Sequence, residues 1–213
     1  MDATLIVADW KRRLIALADN PPYVFRDTPD HLIEQHYRRL TTFVGYSDAE
    51  ISEAEARLRV QFPVVFRTYL REMGKSPGDL FCGSELAGLA DFEQFRRDAM
   101  ELLAETDPAL TLPAEAVVFL FHQGYTFMYV LAEGGFDSPP MHWTETEREP
   151  REVAPTFAEM LDAELQLMES NNRASHEQGG YYLTLYPEGG SRQSYPALAS
   201  GERPLDKEEG GKR

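Results

Sequence analysis

Apolar residues recur at helical spacing through the first half of the chain and at strand spacing later on. Between positions 4 and 18, Leu5, Trp10, Leu14 and Leu17 mark the apolar side of an amphipathic helix. Asn20, Pro21 and Pro22 end it, because proline cannot continue a helix and restrains the residue before it. A second, shorter helix is predicted over 29–40, with Leu32, Ile33, His36 and Leu40 on one side. Ser47 opens a capping-box pattern with Glu50, and Ile51, Ala54 and Leu58 follow at helical spacing. Pro63 is expected in the first turn of the next helix, where its missing N–H does no harm. Phe66, Tyr69, Leu70 and Met73 form that helix's stripe, and Gly74 is its expected C-cap.

Asp91 is the expected cap of a further helix with Phe92, Phe95, Ala99, Leu102 and Leu103 on its apolar side, ended by Asp107 and Pro108. The period then changes. Val117 to Phe121 and Tyr125 to Leu131 are two apolar runs joined by His122, Gln123 and Gly124, which predicts an antiparallel hairpin. Met141, His142 and Trp143 suggest a third, shorter strand. Thr156 is the expected cap of a last helix that buries Phe157, Met160, Leu161, Leu165 and Met168. Tyr181 to Tyr186 alternates weakly, as an edge strand would, and from about Ala199 the chain is charged, Gly-rich and poor in apolar residues.

Charge sharpens the picture. The 213 residues carry 21 Lys+Arg against 36 Asp+Glu, a net charge of −15. Residues 1–84 are nearly balanced, with 12 acids and 11 bases. Residues 85–115 hold 8 acids and 2 bases, and residues 133–170 hold 10 acids and 2 bases, so two internal stretches account for −14 of the −15. Two readings fit: a solvated surface that maintains solubility, or an acidic face that attracts a basic partner. Either disfavours direct nucleic-acid binding, which needs Lys/Arg patches. One cysteine, Cys82, excludes an internal disulfide and points to a reducing compartment. No apolar run approaches the roughly 18 residues of a membrane span. Lys11, Arg12 and Arg13 follow rather than precede the first apolar stretch, the wrong order for a secretory signal, so a cytoplasmic location is expected.

Catalytic and metal signatures are weak. The chain lacks a phosphate loop, a dinucleotide fingerprint, H-E-x-x-H and paired C-x-x-C. His122, His142 and Asp137 could together surround a metal, or could be a turn and a strand histidine that are merely close in sequence. Cys82, between Phe81 and Gly83, reads as a small packed side chain, and Ser84 has no G-x-S-x-G context. No catalytic residue, metal ligand or cofactor is therefore expected. Glu145, Glu147 and Glu149 alternate, so an extended backbone would array them on one face as a binding rim, while a loop would leave them solvated.

Residues 45–74 resemble the opening of the SUKH superfamily, which includes fungal cell-wall assembly regulators and bacterial toxin-immunity proteins. Glu55, Leu58, Pro63, Tyr69, Leu70 and Gly74 fit its pattern, and Phe62 stands where Leu is commoner. The order strand, His-Gln-Gly-Tyr, strand, then Asp137, Ser138, Pro139 and Pro140, fits as well, as do Phe157 to Leu161. The resemblance spans residues 41–170. It leaves 1–40 as an N-terminal helical extension, 171–198 as a C-terminal extension with the edge strand, and 199–213 as a disordered tail. It implies an α+β fold, a mixed, mainly antiparallel sheet flanked by helices, without catalytic activity. For bacterial members it implies an immunity protein that binds and neutralises a cognate toxin, here a basic one. The other reading it allows is a regulatory scaffold module that binds a protein unrelated to toxins. Asp137, Trp143, Glu145, Glu147 and Glu149 are the expected partner contacts, with Trp143 either an aromatic anchor or part of the core.

Overall fold

A computed structural model describes residues 2–18, 30–177, 182–185 and 193–196. The chain begins with α1 (Ala3–Ala18), α2 (Asp30–Thr41), β1 (Phe43–Val44), α3 (Asp48–Leu58), α4 (Val64–Met73) and β2 (Ser76–Pro77). It continues through β3 (Glu85–Leu86), α5 (Phe92–Thr106), β4 (Ala116–His122), β5 (Thr126–Leu131), β6 (Pro140–Thr144), β7 (Arg151–Glu152) and α6 (Phe157–Glu177). The proline stop at 20–22 and the tail 199–213 lie outside the described residues. Residues Tyr182–Leu185 (β8) pair with Gln193–Pro196 (β9) in a two-stranded ladder separate from the central sheet.

The central sheet has the order β3-β4-β5-β6-β7 and is antiparallel throughout, giving the α+β architecture the resemblance implies. Parallel pairing among the described residues is confined to a bridge between Gln61 and Glu133. The β4–β5 turn has Gln123 at φ 52 and Gly124 at φ 78, the two positive dihedrals of a type I′ turn. A bulge between Val118 and Leu120 turns Phe119 and Leu120 to the same side, while Val118 and Phe121 serve the other.

Local signals set the helix ends, with two adjustments. Ser47 Oγ accepts from the Glu50 N–H at 3.2 Å, and the Ser47 N–H donates to Glu50 Oε2 at 2.7 Å. The Lys75 ammonium, with Ser47, holds the Glu50 carboxyl down to about 2. Pro63 is the N-cap of α4 rather than part of its first turn. The Val64 and Val65 N–H groups donate instead to the carbonyls of Gly135 and Phe136. Gly74 caps α4 with φ −67, so its need is space: a Cβ there would stand 2.7 Å from Leu70 O. Asp91 holds the N-cap position of α5 without capping it, because its carboxylate accepts from the Gly88 N–H at 3.0 Å. Thr156 does cap α6, accepting from the Glu159 N–H at 3.1 Å.

Each face of the sheet carries its own core. On one, α1, α3, α4 and α6 pack with Val117, Phe119, Leu120 and Val130. Phe66 is the hub, with ring centroids 5.1 Å from Phe157, 5.6 Å from Phe62 and 5.9 Å from Phe119. Trp10 and Leu14 of α1 are fully buried there, so the N-terminal helix shares this core. The other face packs Val118, Phe121, Phe127, Tyr129 and Trp143 beneath Ala99 and Leu103 of α5. Among the described residues no helix is long and apolar enough to cross a membrane.

Candidate functional site

The five residues nominated by the pattern have separate fates. Trp143 is 0% exposed and stacks on Phe127 at 5.3 Å, so burial removes it from any contact surface and corrects its expected role as an anchor. Its indole N–H has no hydrogen-bond partner among the described residues. Asp137 serves α6: Oδ1 accepts from the N–H groups of Ser138 at 2.8 Å and Phe157 at 3.2 Å, and Oδ2 accepts from Ala158 at 3.2 Å. Burial pushes its pKa up, opposed by those three backbone donors. Glu147 Oε1 accepts from Arg151 Nε at 2.6 Å, and Oε2 lies 3.3 Å from His142 Nδ1. The Arg151 contact is the main reason its carboxyl sits below the ordinary range. The Glu147 N–H donates to Thr144 O at 2.8 Å, so the chain turns rather than extends. Glu145 and Glu149 point to solvent while Glu147 turns inward, and the three do not form one face.

The histidines also stand apart. His122 Nδ1 is 3.1 Å from Ser84 Oγ, His142 faces Glu147, and Asp137 is held by backbone. Among the described residues no three His, Cys, Asp or Glu side chains group so as to hold a metal ion. Cys82 lies on the exposed loop before β3. Burial of its sulfur, and then Asp79, push the thiol up, away from the thiolate a nucleophile requires.

The two acidic stretches differ in how folding uses them. In the second, Asp137 and Glu147 are committed as described. Asp162 and Glu169 bind Arg13: NH1 donates to Asp162 Oδ1 at 3.0 Å, Nε to Glu169 Oε1 at 2.7 Å and NH2 to Glu169 Oε2 at 3.0 Å. Trp10 Nε1 adds a bond to Asp162 Oδ1 at 3.0 Å. In the first stretch, Glu93 lies 3.6 Å from Arg57. Glu85, Glu101 and Glu105 have no cation within 4 Å among the described residues, and Asp98 accepts only from Gln94 Nε2 at 2.6 Å.

These four carboxylates line one groove of about 360 Å³ between α5 and the β4–β5 turn. Asp98, Glu101 and Glu105 recur along one flank of α5 at helical spacing, and Glu85 reaches in from β3. Phe95, Leu102 and Phe121 supply an apolar floor, and Gly124 closes one end. The Glu145 N–H donates to Tyr125 O at 3.3 Å, which sets Glu145 at the same end of the sheet as Gly124. Chemically this is a negative field over an apolar floor, suited to attracting cationic side chains and packing their aliphatic stems. The sequence signal was present in the charge of residues 85–115 and in the helical spacing. The strict alternation of Glu145, Glu147 and Glu149 is the stronger local pattern, and it masks the signal of α5.

Residues 45–163, more than half of the chain, match the family model described as the SMI1 / KNR4 family (SUKH-1). A comparison with curated proteins gives no match.

Proposed function

The chain belongs to the SMI1 / KNR4 family (SUKH-1), and from that membership we propose that it is a non-catalytic immunity protein of the cytoplasm that binds and neutralises a cognate basic toxin. The domain type is that of immunity proteins and cell-wall regulators. The observation that carries the reading is the concentration along α5 of carboxylates without cation partners among the described residues. Charges satisfied inside a protein project little field, whereas unpaired ones on one surface steer an oppositely charged partner and raise its association rate. The proposed interface runs from Asp98, Glu101 and Glu105 across the hairpin turn to Glu145, with Glu149 at its margin. Asp137, Trp143 and Glu147 drop out of it, being committed to the fold.

The test is to look for a toxin gene beside this one in its genome and to co-express the two. Rescue from that toxin, and from no unrelated toxin, supports the reading. Glu101→Lys with Glu105→Lys is expected to slow association by at least tenfold at low salt and to flatten its salt dependence. An on-rate that ignores both salt and these substitutions counts against the acidic face. Rescue failing while a non-toxic host protein binds the same face would favour the regulatory scaffold reading.

A further inference from the structure

On the flank of α5 away from the acidic groove, three arginines open onto a second cavity of about 270 Å³. Arg57 comes from α3, and Arg96 and Arg97 from α5, with walls that include Leu58, Val60 and Phe92. We propose that this pocket binds a compact oxyanion carried on a small apolar body, for which an aromatic carboxylate is the simplest representative.

Arg96 is the main argument. In a chain with a net charge of −15, its half-buried guanidinium has no carboxylate within 4 Å among the described residues. NH1 donates to Ala116 O at 2.8 Å and NH2 to Leu112 O at 3.4 Å, both neutral acceptors. A guanidinium carries five N–H donors, so others remain. Burial lowers its pKa, opposed only by the more distant charge of Glu115. An incoming anion would compensate the desolvated charge. Arg97 is exposed, with NH2 donating to Gln94 Oε1 at 2.6 Å, and Arg57 NH2 donates to Leu89 O. Against these three cations the cavity holds one carboxylate, Glu93, 3.6 Å from Arg57.

The start of α5 adds an independent contribution. Phe92 and Glu93, its first residues, line the cavity, and Asp91 gives the helix no side-chain cap. The first turn of a 15-residue helix thus borders the same space as the arginines, and the partial positive charge of that end adds to theirs. Size and wall chemistry select the ligand. The cavity lies just below the roughly 300–1,000 Å³ of typical small-molecule pockets. The surrounding negative charge repels polyanions, and the apolar wall favours a ligand with a hydrophobic part.

The experiment titrates benzoate into the full-length, isotope-labelled protein at low salt and follows backbone amides by NMR. Acetate and inorganic phosphate are titrated in parallel. Saturable shifts confined to Phe92–Arg97 and Ala116–Val117, stronger for benzoate than for the other two, are expected. Arg97→Gln removes no carbonyl cap, so the protein stays folded, and it weakens benzoate binding about tenfold. Glu93→Gln removes the competing carboxylate and tightens binding about threefold, an opposite sign that a purely structural role for these residues would not produce. Shifts that fail to saturate, acetate or phosphate matching benzoate, or an unchanged affinity in Arg97→Gln would overturn the proposal.

Discussion

Helices α1, α3, α4 and α6 cover one face of the central sheet and α5 covers the other, and the two sides use charge differently. Under α1, α4 and α6, buried aromatic rings meet edge to face around Phe66, and Glu72, Asp162 and Glu169 are bound to Lys11, Arg13 or the Trp10 indole. Across the sheet, α5 covers a smaller aromatic core, and the four carboxylates of the groove beside it have no cation partner among the described residues. Folding ties Glu72, Asp162 and Glu169 to cations on the first side and leaves Glu85, Asp98, Glu101 and Glu105 together in one groove on the second. A count of acids along the chain ranks residues 133–170 above residues 85–115, yet the carboxylates that share one groove without a cation partner among the described residues belong to the latter. What matters for a partner is the charge that remains after the fold has taken its share.

The sharpest break of the comparison is Phe66→Ala. Five neighbouring rings surround Phe66, so a cavity there is expected to destabilise by about 3–5 kcal/mol, against a total of about 5–15 kcal/mol for a domain. Chemical denaturation would measure it. A loss below about 1 kcal/mol would show that the first core relaxes into the cavity and is not the rigid side.

The two tryptophans give the next contrast, since both are fully buried but among the described residues only Trp10 has its N–H paired. Trp10→Phe should cost about 2 kcal/mol, combining lost volume with a lost charge-assisted bond to Asp162. Trp143→Phe should cost less than about 1 kcal/mol, because removing an unpaired buried donor offsets part of the lost packing. Equal losses would mean that the Trp143 indole has a partner after all.

A smaller effect comes from the α1–α6 clamp. The hydrogen bond from Arg13 is the main cause holding the Glu169 carboxyl below its ordinary 4.5. A carboxyl depressed in the folded state stabilises above its unfolded pKa, and that stability fades as pH falls through the folded value. Arg13→Gln should therefore reduce stability by about 1 kcal/mol at pH 7 and flatten the decline below pH 4.5. Parallel stability-versus-pH curves for the two proteins would contradict this.

The smallest stability effect is expected in the groove. Glu101→Gln with Glu105→Gln removes a like-charge pair one helical turn apart, so stability should stay within about 0.5 kcal/mol and lean upward. Partner association should fall nonetheless. A marked destabilisation would show that these carboxylates serve the fold and would erase the difference between the two sides.

Much of the scaffold was readable locally. Ser47 and Glu50 cap α3 through atoms three residues apart, and the β4–β5 turn follows from Gly124 beside two apolar runs. Positions where a neighbour in space decides were not. Pro63 sits one place earlier because the carbonyls of Gly135 and Phe136 receive the first N–H groups of α4. Asp91 turns to Gly88 instead of capping α5. Strands β1, β2, β3 and β7 are two residues each, too short for any period to register.

By itself, the order of residues determined the helices, the hairpin, the family and the two acidic stretches, because all of these depend on spacing and composition along one chain. Only the tertiary structure decided that Trp143 is buried, that Asp137 caps a helix 20 residues away, and that Arg13 neutralises Asp162 and Glu169 from about 150 positions distant. The physical reason is range: a capping bond or a hydrophobic stripe closes within a turn or two, whereas a charge is satisfied by whatever cation packing brings within 4 Å.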